Sequence, residues 1–90
     1  RWTAVTYSMD NVADFVDLSN GYEILKVQVP AAWDGRRIGD LDVRRSYGIN
    51  ILGVGTDHMN MEISPDVIMH TGEYVLVLGR NEVLRRIFKL

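Results

Sequence analysis

One continuous segment carries most of the chemistry this chain has to offer: Arg36-Arg37-Ile38-Gly39-Asp40-Leu41-Asp42-Val43-Arg44-Arg45. It sets basic, apolar and acidic groups along one short stretch, and Asn50 opens the apolar run that follows. A guanidinium presents a planar fork of donors to a phosphate, and an amide offers two donors and an acceptor. A carboxylate accepts from an exocyclic amine, while Ile38 and Leu41 supply flat apolar area. These groups together suit an anionic, nucleotide-like ligand. Spacing alone favours a plainer reading, because charges flanking an apolar stripe are also what a solvated helix face carries.

Other constellations lead nowhere catalytic. Gly53-Val54-Gly55 begins like a dinucleotide fingerprint, but the third glycine is missing and hairpin signals follow where a helix would be needed to hold a pyrophosphate. His58 and His70 have no partner at metal-ligand spacing, and Asp40 and Asp42 have no calcium loop around them. Ser8, Ser19, Ser46 and Ser64 fall in caps and turns without a nucleophile elbow, and a nucleophile needs a base within reach. No catalytic residue is assigned, and no metal. Met59, Met61 and Met69 read as core filling, and Trp33 as a plug over a sheet.

The elements that must position these residues follow from periodicity. Ser8 to Phe15 reads as a short helix, with Val12, Phe15 and Val16 three and four apart. Ser19-Asn20-Gly21 is a turn signal. Tyr22 to Val29 alternates as a strand, with Leu25 out of phase as a bulge or two-sided burial, and Pro30 ends it. Ile38 to Tyr47 reads as one short helix stopped by Gly48. Ile49 to Val54 is a buried strand, Asp57-His58 a hairpin turn, and Met59 to Ile63 the return strand. Ser64-Pro65-Asp66 opens a single helical turn. Tyr74 to Leu78 is an apolar strand ended by Gly79. Asn81 caps a closing helix over Glu82 to Phe88, with Val83, Leu84 and Ile87 inward. The expected fold class is a compact α+β domain, mostly an antiparallel sheet of about four strands with short helices.

Ninety residues make one domain, of which a chain this size buries about 60–65% of its unfolded surface. Pairing with a second copy would bury more. The net charge of −2 speaks against a nucleic-acid partner, which wants a basic face. No cysteine is present, so disulfides and thiolate metal sites are excluded. No apolar run reaches the roughly 18 residues of a membrane span, so no direct membrane insertion is expected. The chain opens on Arg1 and reads as a piece of a longer protein.

The order and spacing of several groups resemble a known family. Tyr22-Glu23-Ile24, Val29-Pro30, Trp33-Asp34-Gly35, Ile38 through Leu41-Asp42-Val43-Arg44, and Tyr47-Gly48-Ile49-Asn50-Ile51 are similar to the RCK C-terminal, or TrkA-C, domain of Ktr/Trk-type potassium-transport regulators. Pro65-Asp66, Ile68, Gly72-Glu73 and Val75-Leu76-Val77-Leu78-Gly79 match its end, with Glu73 where the family more often has Asp. Asn11 to Leu18 resembles the stretch preceding the domain in Ktr-type members. On this resemblance residues 1–18 form a connecting segment, helical in part, from a missing N-terminal lobe, and residues 19–90 form the domain.

The resemblance implies a cytoplasmic regulatory lobe that pairs across a two-fold axis as a homodimer and acts on a membrane potassium transporter or channel subunit. The N-terminal lobe of such proteins binds ATP, ADP or NAD, and none of that function falls on these residues. In Ktr-type members the paired surface binds cyclic di-AMP, which switches off potassium uptake. Carried over residue by residue, Ile38 and Leu41 would support adenine, Asp42 and Arg44 would contact base and phosphate or ribose, and Asn50 would reach a phosphate. The family usually has a second apolar residue after the first, and here it is Gly39, which removes stacking area. Three readings follow: a regulatory module gated by ligand, a purely structural dimerisation lobe without a ligand of its own, and an enzyme, for which no constellation speaks.

Overall fold

The structure is a computed structural model that describes residues 12–90. One five-stranded antiparallel sheet organises it, in the order β1-β2-β5-β3-β4. Its strands are β1 (Val12–Asp17), β2 (Tyr22–Gln28), β3 (Asn50–Gly55), β4 (Met59–Asn60) and β5 (Tyr74–Arg80). The helices are α1 (Ile38–Leu41), α2 (Val43–Tyr47) and α3 (Asn81–Phe88), with a single 3₁₀ turn at Ala31–Trp33. The expected α+β class with an antiparallel sheet and short helices holds, with one strand more than expected.

That extra strand is a correction. Residues 12–17 form β1 rather than the end of a helix, and residues 8–11 lie outside the described part. A helix this short is marginal in water, whereas β1 gains a ladder against β2, irregular between Val12 and Asp14 and then regular, pairing Phe15 with Leu25 and Val16 with Ile24. The connecting turn is built for a hairpin. Asp17 accepts from the Ser19 amide at 3.0 Å, the Leu18 amide donates to Tyr22 at 3.0 Å, and Ser19 and Gly21 both sit at positive φ.

β2 carries Glu23, Leu25 and Val27 into the core and turns Tyr22, Ile24, Lys26 and Gln28 to the other face. Leu25 is therefore in phase with Val27. No bulge occurs in β2; the misleading residues were Tyr22 and Ile24, apolar on the outward face. β5 runs on through Gly79 to Arg80, and Ile49 and Leu84 pack over Gly79. Leu25 faces Val77 and Val27 faces Val75 across the ladder, all with 0–1% of their surface exposed. Leu84 and Phe88 of α3 pack on that face, and Trp33 meets Phe88 edge-on at 5.2 Å. Trp33 and Met69 fill the core as expected, but Met61 is 55% exposed. Asn81 opens α3 as its first residue and does not cap it; Arg80 is the capping position, without a side-chain bond.

Two further expectations fail for local reasons. The return strand stops at Asn60, whose side chain accepts the Glu62 amide at 3.1 Å and so turns the chain away from the ladder. Ser64-Pro65-Asp66 forms a turn closed by the Val67 amide on the Ser64 carbonyl at 3.2 Å, without helix. The result is an irregular segment between β4 and β5 that comes back alongside α1.

Candidate functional site: a cleft between the broken helix and the returning segment

The helix expected over 38–47 is broken at Asp42, which sits at φ 53° and ψ 34° between α1 and α2. Asp is one of the few side chains that reach the left-handed region at modest cost. Gly48 then ends α2 at φ 72°, as its sequence position predicts, and the chain drops into β3. The break bends α1 and α2 around a cleft of about 330 Å³. One wall is Ile38, Gly39, Asp42 and Arg44, the floor is Ile49, Asn50 and Ile51, and the facing wall is Ile63, Ser64 and Pro65.

Four of the five residues singled out from sequence, Ile38, Asp42, Arg44 and Asn50, line this one cleft. Leu41 does not; it is half-buried and packs against the core. The facing wall went unnoticed in the sequence, where Ser64-Pro65 carried only a turn signal. The meaning of Gly39 also changes. A Cβ placed there would lie 2.8 Å from Pro65 Cβ and 3.1 Å from its carbonyl oxygen, and the Gly39 amide donates to that oxygen at 2.9 Å. Glycine is required because the opposite wall touches it.

The charges around the cleft are unequally engaged. Arg37 reaches Asp40 with Nε at 3.2 Å and Asp66 with Nη1 at 3.5 Å. Its guanidinium is held more firmly protonated than usual, first by the hydrogen bond to Asp40 and then by the charges of Asp40 and Asp66. Arg45 approaches Asp42 at 3.9 Å, an exposed contact of little energy. Arg44 lines the cleft and makes no ion pair with any described residue. A guanidinium without an ion pair among the described residues, a carboxylate, an amide and isoleucine side chains thus line one cleft, groups whose chemistry suits an anion with a flat heterocycle attached. Among the described residues no cluster suited to a metal ion occurs, and no helix is long and apolar enough to cross a membrane.

This fold and this cleft define a class. The chain matches the TrkA-C domain family over residues 22–90 and belongs to it. Among its relatives is the Ktr system potassium uptake protein A of Bacillus subtilis (strain 168), 29% identical over 85 residues, a match covering 92% of this chain and 38% of that protein. The Ktr system potassium uptake protein C of the same organism is 29% identical over 72 residues, covering 78% and 32%. The chain thus spans about a third of these relatives. Its fold is that of the RCK C domain of the potassium transport protein KtrA, solved in complex with cyclic diadenosine monophosphate, at TM-score 0.69 and 26% identity over 80% of this chain and 86% of that one. The GsuK RCK domain shares the fold at TM-score 0.69 and 19% identity, covering 89% of this chain and 18% of that one.

Proposed function

We propose that this domain is the ligand-sensing, self-pairing lobe of a potassium-uptake regulator of the Ktr type, without catalysis of its own. In this reading it works at the cytoplasmic face of the membrane, paired as a homodimer and attached to a transporter subunit. Its ligand is cyclic di-AMP, held where two copies meet. The observation that carries the reading is the single cleft that gathers Ile38, Asp42, Arg44 and Asn50. The solved complex of the KtrA RCK C domain with that nucleotide supports the choice of ligand. A nucleotide lobe for ATP, ADP or NAD would precede the domain, joined to it ahead of β1, which is already part of the sheet.

Symmetry and charge argue the same way. The ligand has two equivalent halves, and a two-fold pair of chains offers the same cleft to each. Its two phosphodiesters would meet two copies of Arg44, through charge-assisted bonds of roughly 1.5–3 kcal/mol each. Titration calorimetry is expected to give one cyclic di-AMP per two chains. Arg44→Ala is expected to lower affinity at least about a hundredfold, because each ligand loses two such bonds. The same titration with Arg44→Ala indistinguishable from the parent removes Arg44 from the site. No heat at about 100 micromolar ligand with the parent chain leaves the structural dimerisation lobe as the better account.

That second reading has its own support. Tyr47, Met61 and Ile68 are large apolar side chains 46%, 55% and 47% exposed, and a second copy would cover such surface. Both readings expect a dimer at micromolar concentration. Sedimentation equilibrium checks this, and a clean monomer there sinks the paired site in either form.

A further inference from the structure

The two walls of the cleft come from segments distant in sequence, and their contact is mostly main chain. The Ile38 amide donates to the Val67 carbonyl and the Gly39 amide to the Pro65 carbonyl, both at 2.9 Å. Arg37 and Ile68 pair as an isolated antiparallel bridge, and the Met69 amide closes onto the Arg36 carbonyl at 3.1 Å. Over this seam lies one side chain. Arg37 puts Nε 3.2 Å from Asp40 Oδ2 and Nη2 3.4 Å from Asp40 Oδ1, on α1, and Nη1 3.5 Å from Asp66 Oδ1, on the returning segment. Neither Arg37 nor Asp66 lines the cleft.

We infer that Arg37 is a positioning residue that clamps α1 to the returning segment and so holds the two walls of the cleft at binding width without touching the ligand. The inference rests on the reading of the cleft as a ligand site. Its physical basis is that the guanidinium separates two carboxylates that would otherwise repel across the seam. Asp40, Asp66 and Arg37 have 50%, 85% and 53% of their side chains exposed, so the clamp adds little to the stability of the whole fold. Its effect falls on local opening, where a weak contact changes how often two segments part.

Amide hydrogen exchange resolved by residue, on the full chain, tests this in the parent, Arg37→Ala and Arg37→Lys. Arg37→Ala is expected to speed exchange at the Ile38 and Gly39 amides about fivefold, as loss of an exposed ion-pair network allows, while the Leu25 and Val77 amides keep their rates. Arg37→Lys, a single ammonium able to hold one carboxylate, is expected to fall between. Affinity for cyclic di-AMP would drop by at most the same factor in Arg37→Ala, since an open wall removes binding-competent molecules in proportion. Unchanged exchange at Ile38 and Gly39 overturns the clamp. So does acceleration spread equally to Leu25 and Val77, which would make Arg37 a contributor to global stability only. A parent chain that binds no cyclic di-AMP refutes the ligand reading, and the exchange rates still decide whether Arg37 holds the walls.

Discussion

Leu25→Ala is expected to lower the thermal midpoint of this domain by roughly 10 °C or more. Leu25 is fully buried at the centre of β2, facing Val77 of β5 and Phe15 of β1 across two ladders. Removing a buried leucine side chain costs about 2–5 kcal/mol, with the upper end where neighbours cannot collapse into the space. Here the neighbours are strands locked in register on both sides, so little collapse is available. A 90-residue chain has roughly 5–13 kcal/mol of stability in total, and each kcal/mol moves the midpoint of a domain this size by about 4–8 °C. Thermal unfolding followed by circular dichroism should therefore show a fall of roughly 10 °C or more. Val16→Ala, at a position 52% exposed on the edge strand, serves as the comparison and should move the midpoint little. A Leu25→Ala midpoint within a few degrees of the parent would show that the core is not centred on the β2–β5 pair.

Gly39→Ile is expected to weaken both the fold and ligand binding. The resemblance read from sequence points the other way, since the family usually has a second apolar residue here and isoleucine would restore stacking area. The structure reverses that expectation through one contact. The first side-chain carbon alone would sit 2.8 Å from Pro65 Cβ, part of a rigid ring, and 3.1 Å from a carbonyl oxygen. To admit isoleucine the wall must move, and the Gly39 amide then loses its bond to Pro65. Overpacking of this kind costs about 1–3 kcal/mol, and the displaced wall no longer faces Ile38 and Asp42 across the cleft. Denaturant unfolding measures the first effect and titration with cyclic di-AMP the second. Tighter binding by Gly39→Ile at unchanged stability would mean that the returning segment yields freely and that stacking area governs affinity.

The ligand segment shows how far the residues alone carry the reading. Residue types over 36–50 offered a fork of donors, an acceptor and apolar area, but spacing alone favours a solvated helix face, and it was the family resemblance that pointed to Ile38, Leu41, Asp42, Arg44 and Asn50. The same stretch misled at Leu41, which shares α1 with Ile38 but is turned to the core once the helix breaks at Asp42. Nothing local announces that break, since Asp tolerates both helical and left-handed backbone.

Periodicity and single residues' backbone preferences account for the strands over Tyr22, Ile49 and Tyr74, the helix ending at Phe88, the stop at Gly48, and the core roles of Trp33 and Met69. The family pattern belongs with these, because it too is an order of residues along one chain. The tertiary structure alone decided the sheet order, the strand at Val12–Asp17, the early end of β4, the facing wall at Ile63 to Pro65 and the need for glycine at position 39. Each of these depends on a contact between segments distant in sequence. A half-amphipathic stretch such as Val12 to Asp17 fits helix and strand alike until a neighbour with unpaired backbone groups is beside it. Likewise, the closeness of Gly39 and Pro65 is a distance between two walls, which no pattern within either wall encodes.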